Sequence, residues 1–231
     1  MIPEYSFLTT VISNLKIFEF IKEKKLNLKF FVPLSSNIFG ATNTKKQNEK
    51  TLINPTSIYG IAKASLLYVC NYYRSIHKLK IYNTIFFNHE SPRRSDEYVT
   101  KKIVKHACLI KLKKLKKIEL GDINIKIDWG YAKDYVETAW KIVQLKKPDT
   151  FVISSGKLTS VKDFCKLTFE YLNLDYKKYL KINKKLLRSS KTSNLFGDFS
   201  KAKKILNYKP KTNIKQLIKI MVDDEIQNFR K

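Results

Sequence analysis

From Phe7 to Ile21 the apolar residues Phe7, Leu8, Val11, Ile12, Leu15, Phe18 and Ile21 recur every three or four positions, the period of an amphipathic helix. Pro3 suits its first turn. Leu26 to Leu34 is then a mostly apolar run of strand length that ends in the polar Ser35-Ser36-Asn37. A polar loop, Ala41 to Pro55, leads to Thr56 or Ser57 as a helix cap. The helix behind it carries Tyr59, Ala62, Lys63, Leu66, Leu67, Cys70 and Tyr73. Lys80 to Phe87 is a second apolar strand. Strand, helix and strand at this spacing predict a βαβ unit with parallel strands. Ligands bind such sheets beyond the carboxyl ends of the strands. Both polar clusters, Ser35-Ser36-Asn37 and Asn88-His89-Glu90, fall at those ends.

The pattern loosens afterwards. Tyr98 to Leu112 predicts a helix, Ile118 to Ile127 one or two short strands around Gly121, and Asp128 to Val136 the opening of a helix that runs over Ala132 to Leu145. Phe151 to Ile153 reads as a strand, Val161 to Leu172 as a helix, and Leu180 to Asn194 as a basic loop. Two helices, Lys201 to Leu206 and Ile214 to Phe229, follow.

Composition changes the picture in one respect. The 231 residues carry a formal net charge of +26, which invites a nucleic-acid or membrane reading. Only Arg74, Arg93, Arg94, Arg188 and Arg230 are arginine among 46 basic residues, and the lysines are spread over the chain. Readers of bases and phosphates favour the planar fork of arginine. Abundant Lys, Asn, Ile, Phe and Tyr instead match A/T-rich codons, with solvated lysines on outer faces; no specific nucleic acid is expected. No apolar run approaches the ~20 residues of a membrane span, so no membrane is expected, and no secretory leader is evident at the N-terminus. Cys70, Cys108 and Cys165 lack metal-site spacing and read as free thiols of a reducing, cytoplasmic compartment, with no metal.

Candidate chemistry lies in four places. Tyr59 and Lys63 stand four residues apart on one helix face, where an ammonium favours the phenolate and makes it a general base. With 13 tyrosines in so lysine-rich a chain, roughly two such pairs arise by chance, and Tyr98 with Lys102 is the other; position after a polar strand end singles out Tyr59. Ser35 and Ser36 are turn formers or hydroxyls for a substrate oxygen. His89 reads as a polar strand-end residue or, with Glu90, Arg93 and Arg94 beside it, as part of a phosphate clamp. Asp128 and Trp129 read as a cap and a core residue.

Together these pieces resemble the GDP-mannose 4,6-dehydratase family of the extended short-chain dehydrogenase/reductase superfamily, nearly end to end. Asn88-His89-Glu90-Ser91-Pro92-Arg93-Arg94 is similar to its most specific signature, Val99 to Ile103 to the segment after it, and Asp128 to Val136 to its Asp-Trp-Gly-x-Ala-Lys-Asp-Tyr-Val. Pro3-Glu4-Tyr5, Phe151 to Gly156, Gly197-Asp198, Lys201-Ala202 and Tyr208-Lys209-Pro210 resemble further family segments. The resemblance implies an α/β fold: an incomplete Rossmann-type doubly wound parallel sheet with a small C-terminal α+β substrate domain. Residues 1–89 would be the C-terminal portion of an NADP-binding Rossmann domain. Residues 90–231 would mainly bind the sugar nucleotide, with about 128–155 returning to the sheet.

It implies GDP-mannose as substrate and NADP as cofactor. Ser35, Tyr59 and Lys63 would be catalytic, with Tyr59, Lys63, His89 and Arg94 on the cofactor. Asn88, Val99, Lys102, Leu120, Gly121 and Arg188 would surround GDP-mannose.

The departures are equally specific. Asn37 stands where the family has the glutamate that serves as acid and base in dehydration, and an amide cannot exchange that proton. Ile127 replaces an arginine, and Lys191 a glutamate. The family's opening strand, its Gly-x-x-Gly-x-x-Gly turn and further βα units have no counterpart, and the six glycines form no such motif. The expectation is a chain shortened on its N-terminal side, without the cradle for the pyrophosphate of NADP, and impaired in activity. The alternatives are a non-catalytic half-enzyme or binding module needing a complementing N-terminal chain, and another sugar-nucleotide dehydratase or epimerase. A homo-oligomer fits either reading.

Overall fold

The computed structural model describes residues 2–187 and 195–230, apart from the side chain of Arg230. In chain order its elements are α1 (Pro3–Phe7), α2 (Ser13–Glu23), β1 (Lys29–Ser35), α3 (Ile58–Ser75), β2 (Lys80–Phe86), β3 (Asn88–Glu90), α4 (Val99–Lys111), β4 (Ile118–Leu120) and β5 (Lys126–Tyr131). There follow α5 (Ala132–Gln144), β6 (Thr150–Ile153), β7 (Leu158–Ser160), α6 (Val161–Tyr171), β8 (Leu180–Ile182), α7 (Ser200–Leu206) and α8 (Ile214–Arg230). They divide into two compact units. The first is Met1–Phe87, Tyr135–Gly156 and Leu195–Lys209; the second is Asn88–Asp134, Lys157–Asn194 and Pro210–Lys231.

The first unit is built on a three-stranded sheet in the order β1-β2-β6, parallel throughout. The βαβ expectation holds: Lys29 pairs with Lys80 and Ser35 with Phe86. Strand alternation then sorts the side chains. Ile81, Ile85 and Val152 enter a core with Phe18, Ile21, Leu66 and Leu67 of α2 and α3. Tyr82, Phe151 and Ile153 enter a second core with Tyr135 and Ile142 of α5 and Ala202 of α7. Both faces of β2 are therefore covered, which is why apolar residues stand on both, Ile81 and Ile85 on one and Tyr82 and Phe86 on the other, with Asn83 and Thr84 buried between them. Pro33 lacks a ladder donor and lies on β1, which pairs in this sheet with β2 alone.

The second unit joins β3 parallel to β5, β5 antiparallel to β7, and β4 parallel to β8. Ile103, Val104 and Ala107 of α4, Phe164 and Phe169 of α6, and Leu217, Ile218 and Met221 of α8 form its core.

Three local expectations are corrected. The first helix is interrupted by a π-helical turn over Leu8–Ile12. There the Thr9 and Ser13 hydroxyls donate to the carbonyls of Tyr5 and Thr9, at 2.7 and 2.5 Å, and compete with the regular ladder. Asp128 to Tyr131 is strand, and the helix begins only at Ala132, because β5 is paired on both sides, by β3 and β7. Leu180 to Ile182 is strand within the expected loop, since β4 supplies a partner and Leu180 packs on the core. Such pairings are decided by residues distant in sequence.

Candidate active site

In the first unit the strand end and the helix start are fitted together by two small residues. Ser35 closes β1, half-buried, and its Oγ accepts the Asn37 amide N–H at 3.3 Å, capping the 3₁₀ turn Ser36–Ile38. Ser57 caps α3 by accepting the Gly60 N–H at 3.1 Å. A Cβ on Gly60 would lie 2.7 Å from the Asn37 carbonyl oxygen, so only glycine lets the start of α3 come this close to the end of β1. Tyr59, half-buried on the first turn of α3, is thereby held beside the Ser35–Asn37 corner. Asn37 is exposed there.

Lys63 stands one turn on. Its Nζ is 5.8 Å from the centre of the Tyr59 ring and donates to the Pro33 carbonyl at 2.9 Å. Burial lowers its pKa below the usual lysine value, against a smaller opposing pull from Cys70. The predicted Ser35, Tyr59 and Lys63 are thus brought together, with an amide and no carboxylate at position 37.

In the second unit Asn88 and His89 lie half-buried in β3, opposite Trp129 and Gly130 of β5. Trp129 is core, edge-on to Phe164 with ring centres 5.2 Å apart. Glu90, the last residue of β3, is 2% exposed. Its carboxylate accepts the Thr100 hydroxyl at 2.6 Å and lies 3.2 Å from Nε of Arg94. Burial raises the Glu90 pKa above the usual carboxylate range, opposed by the Thr100 hydrogen bond and then by Arg94. The Arg94 guanidinium stacks on Tyr98, its carbon 3.3 Å from the ring centre. Sequence reading attached Arg94 to a ligand and set Glu90 beside it, but did not give the contacts of Glu90 and Tyr98 with Arg94 or of Thr100 with Glu90. The i, i+4 spacing of Glu90 and Arg94 was the available signal.

Val99 is half-buried against the core of this unit, and Lys102 is half-buried on α4. Leu120 buries its side chain in the core, and its carbonyl accepts the Asn183 N–H at 2.8 Å. A Cβ on Gly121 would meet the Leu186 carbonyl oxygen at 2.5 Å, so this glycine seats the 183–187 segment against β4. Arg188 lies outside the described residues. A separate open crevice of about 740 Å³, lined among others by Lys162, Lys166, Glu170 and Lys177, holds none of the predicted site residues.

A parallel sheet whose crossover helix carries Tyr59 and Lys63 on its first turns is a Rossmann-like α/β arrangement. Solved structures agree on the fold. The structure "RMD from Pseudomonas aeruginosa complexed with NADPH" superposes with a TM-score of 0.90 at 15% identity, covering 98% of this chain and 76% of that one. A dTDP-glucose 4,6-dehydratase from Bacillus anthracis in complex with NAD does so with 0.86 at 19%, covering 97% and 70%. Residues 1–221 match the GDP-mannose 4,6 dehydratase family. GDP-mannose 4,6 dehydratase 1 of Arabidopsis thaliana is 36% identical over 230 residues, 98% of this chain and 63% of that protein. The human GDP-mannose 4,6 dehydratase is 31% identical over 248 residues, 99% and 67%. The chain belongs to the GDP-mannose 4,6 dehydratase family. It spans 63% and 61% of the two Arabidopsis relatives. Among the described residues no helix is long and apolar enough to cross a membrane.

Proposed function

We propose that the chain carries a sugar-nucleotide site of the GDP-mannose 4,6-dehydratase type, working with NADP, in which the oxidoreductive residues are kept and the elimination step is impaired. The observation that carries this is the exposed Asn37 at the Ser35–Tyr59 corner.

The residues present suit part of a nicotinamide dinucleotide; the glycine-rich cradle for its pyrophosphate is not among them. The family resemblance assigns Tyr59 and Lys63 of the first unit, and separately His89 and Arg94 of the second, to the cofactor; Lys63 and Arg94 are cations suited to ribose hydroxyls and phosphate. The chemistry a bound NADP supplies is storage of a hydride between oxidation at the sugar C4 and reduction at C6. Tyr59 takes the C4 hydroxyl proton, with Lys63 favouring the phenolate and Ser35 hydrogen-bonding the same oxygen. Asn88, Val99, Lys102, Leu120, Gly121 and Arg188 bind GDP-mannose. Elimination of water across C5 and C6 needs a group that gives and takes a proton, and the Asn37 amide does neither.

The test is incubation with GDP-mannose and NADP, read by mass spectrometry for the product lighter by one water. The wild-type chain is expected to form it about 10²–10⁴-fold more slowly than Asn37→Glu, the range that a positioned acid/base contributes. Equal rates would overturn the reading.

A second reading, a binding half completed by another chain or a second copy, is favoured by β1, which pairs with β2 alone in its sheet. It predicts GDP-mannose binding without turnover in both proteins, and turnover on adding a glycine-rich N-terminal segment from a relative.

A further inference from the structure

Arg94 is gripped by Tyr98 and Glu90 of its own unit, with Thr100 behind Glu90, in contacts that no ligand reading requires. The stack on Tyr98 fixes the plane of the guanidinium. Glu90 Oε2 sets a counter-charge 3.2 Å from Nε, and the Thr100 hydroxyl fixes that carboxylate in turn. Among the described residues Nε has no hydrogen-bond partner, so the tie to Glu90 is one of charge and distance more than direction. The orientation therefore comes from ring and carboxylate together.

A lone arginine spreads over many rotamers and loses that freedom when it binds a phosphate. Here much of the ordering is already done, while the side chain remains 25% exposed. Placing a 2%-exposed carboxylate under a guanidinium is costly for folding alone, because desolvation of both charges offsets most of their attraction.

We infer that Glu90 and Tyr98 are positioning residues, which hold the Arg94 guanidinium preorganised for a phosphate of the bound dinucleotide. The inference rests on the reading that Arg94 faces the cofactor. Coupling through Arg94 separates this role from that of a merely structural Glu90–Arg94 pair.

The experiment titrates NADPH, followed by its own fluorescence, into the wild-type chain, Arg94→Ala, Glu90→Gln, Tyr98→Leu and the doubles Glu90→Gln/Arg94→Ala and Tyr98→Leu/Arg94→Ala. Arg94→Ala is expected to weaken binding by about tenfold or more, the usual loss for a hydrogen bond to a charged group. Glu90→Gln and Tyr98→Leu should each weaken it by about three- to tenfold, and by less than about twofold once Arg94 is gone. Losses that simply multiply in the doubles overturn the positioning role and leave the cofactor reading standing. An Arg94→Ala chain that binds as wild type, or a wild-type chain that leaves NADPH fluorescence unchanged to millimolar concentration, overturns both. Tyr98 is 48% exposed, so Tyr98→Leu keeps the test decisive if Glu90→Gln fails to fold.

Discussion

The two units bury different kinds of polar group. In the first, the buried polar side chains are neutral: Ser6, Ser36, Gln47, Asn83, Thr84, Thr138 and Ser154. Its charged groups near the interior, Glu49, Lys63 and Arg74, stay only half-buried. In the second, Glu90, Lys101, Asp128, Asp134 and Glu225 are all buried. Lys101 of α4 pairs with Glu225 of α8 and also donates to the Pro92 carbonyl at 3.0 Å. The Asp134 carboxylate accepts the Lys211 and Thr212 amide N–H groups at 3.0 and 2.9 Å.

The difference has a physical source. A parallel sheet covered on both faces satisfies its backbone internally and fills its two cores with apolar side chains. A unit whose strands, β5 apart, are three residues long and which is otherwise crossing helices has fewer ladder bonds, and uses ionic and capping contacts to fix its segments. Breaking such contacts should hurt more than trimming a neutral cap in the first unit.

The largest effect is expected from Asn37→Glu on turnover. On stability, Lys101→Met should be the most severe change. It leaves Glu225 buried without its cation, at a cost of about 3–5 kcal/mol, measurable by urea denaturation. The thiols show where the damage lies. Burial pushes Cys70 in the first unit up to about 11, and Cys108 and Cys165 in the second up to about 12. All three should resist iodoacetamide in the native protein. In Lys101→Met, Cys108 and Cys165 should label before Cys70. Labelling of all three at one rate would show that the units open together and would undo the comparison.

Glu90→Gln gives a smaller, pH-dependent effect. The folded pKa of Glu90 lies above its unfolded value, so the unfolded state releases the proton first and stability is lost as pH rises through the folded pKa. Glutamine removes that loss. The variant should therefore gain relative to the wild type as pH rises above the ordinary carboxylate range and through the raised value of Glu90, with the gap closing towards acid. A gap that widens towards acid contradicts the sign. The smallest effect belongs to the first unit: Ser57→Ala removes the cap of α3, at a cost of about 1 kcal/mol at any of these pH values.

Much of the first unit was legible in the sequence, because its signals are local and repeated. The period of the apolar residues marked α3, the apolar runs marked β1 and β2, and Thr56-Ser57 marked the cap, of which the structure uses Ser57. Parallel pairing followed from the length of the connection. The second unit was less legible. β3, β7 and β8 are three residues long, and each exists through a partner strand elsewhere in the chain. Asp128 to Tyr131 is locally compatible with a helix start and becomes strand by pairing.

The same division runs through the candidate site. The sequence by itself determined the family signature Asn88 to Arg94, the Tyr59–Lys63 pair and the amide at position 37, because those are statements about residue identity and short spacing. The tertiary structure alone decided that Lys63 reaches the Pro33 carbonyl, that Gly60 seats Tyr59 beside Asn37, and that Arg94 lies between a carboxylate and a ring. Such contacts depend on burial and on the meeting of separate segments, and no local pattern encodes either.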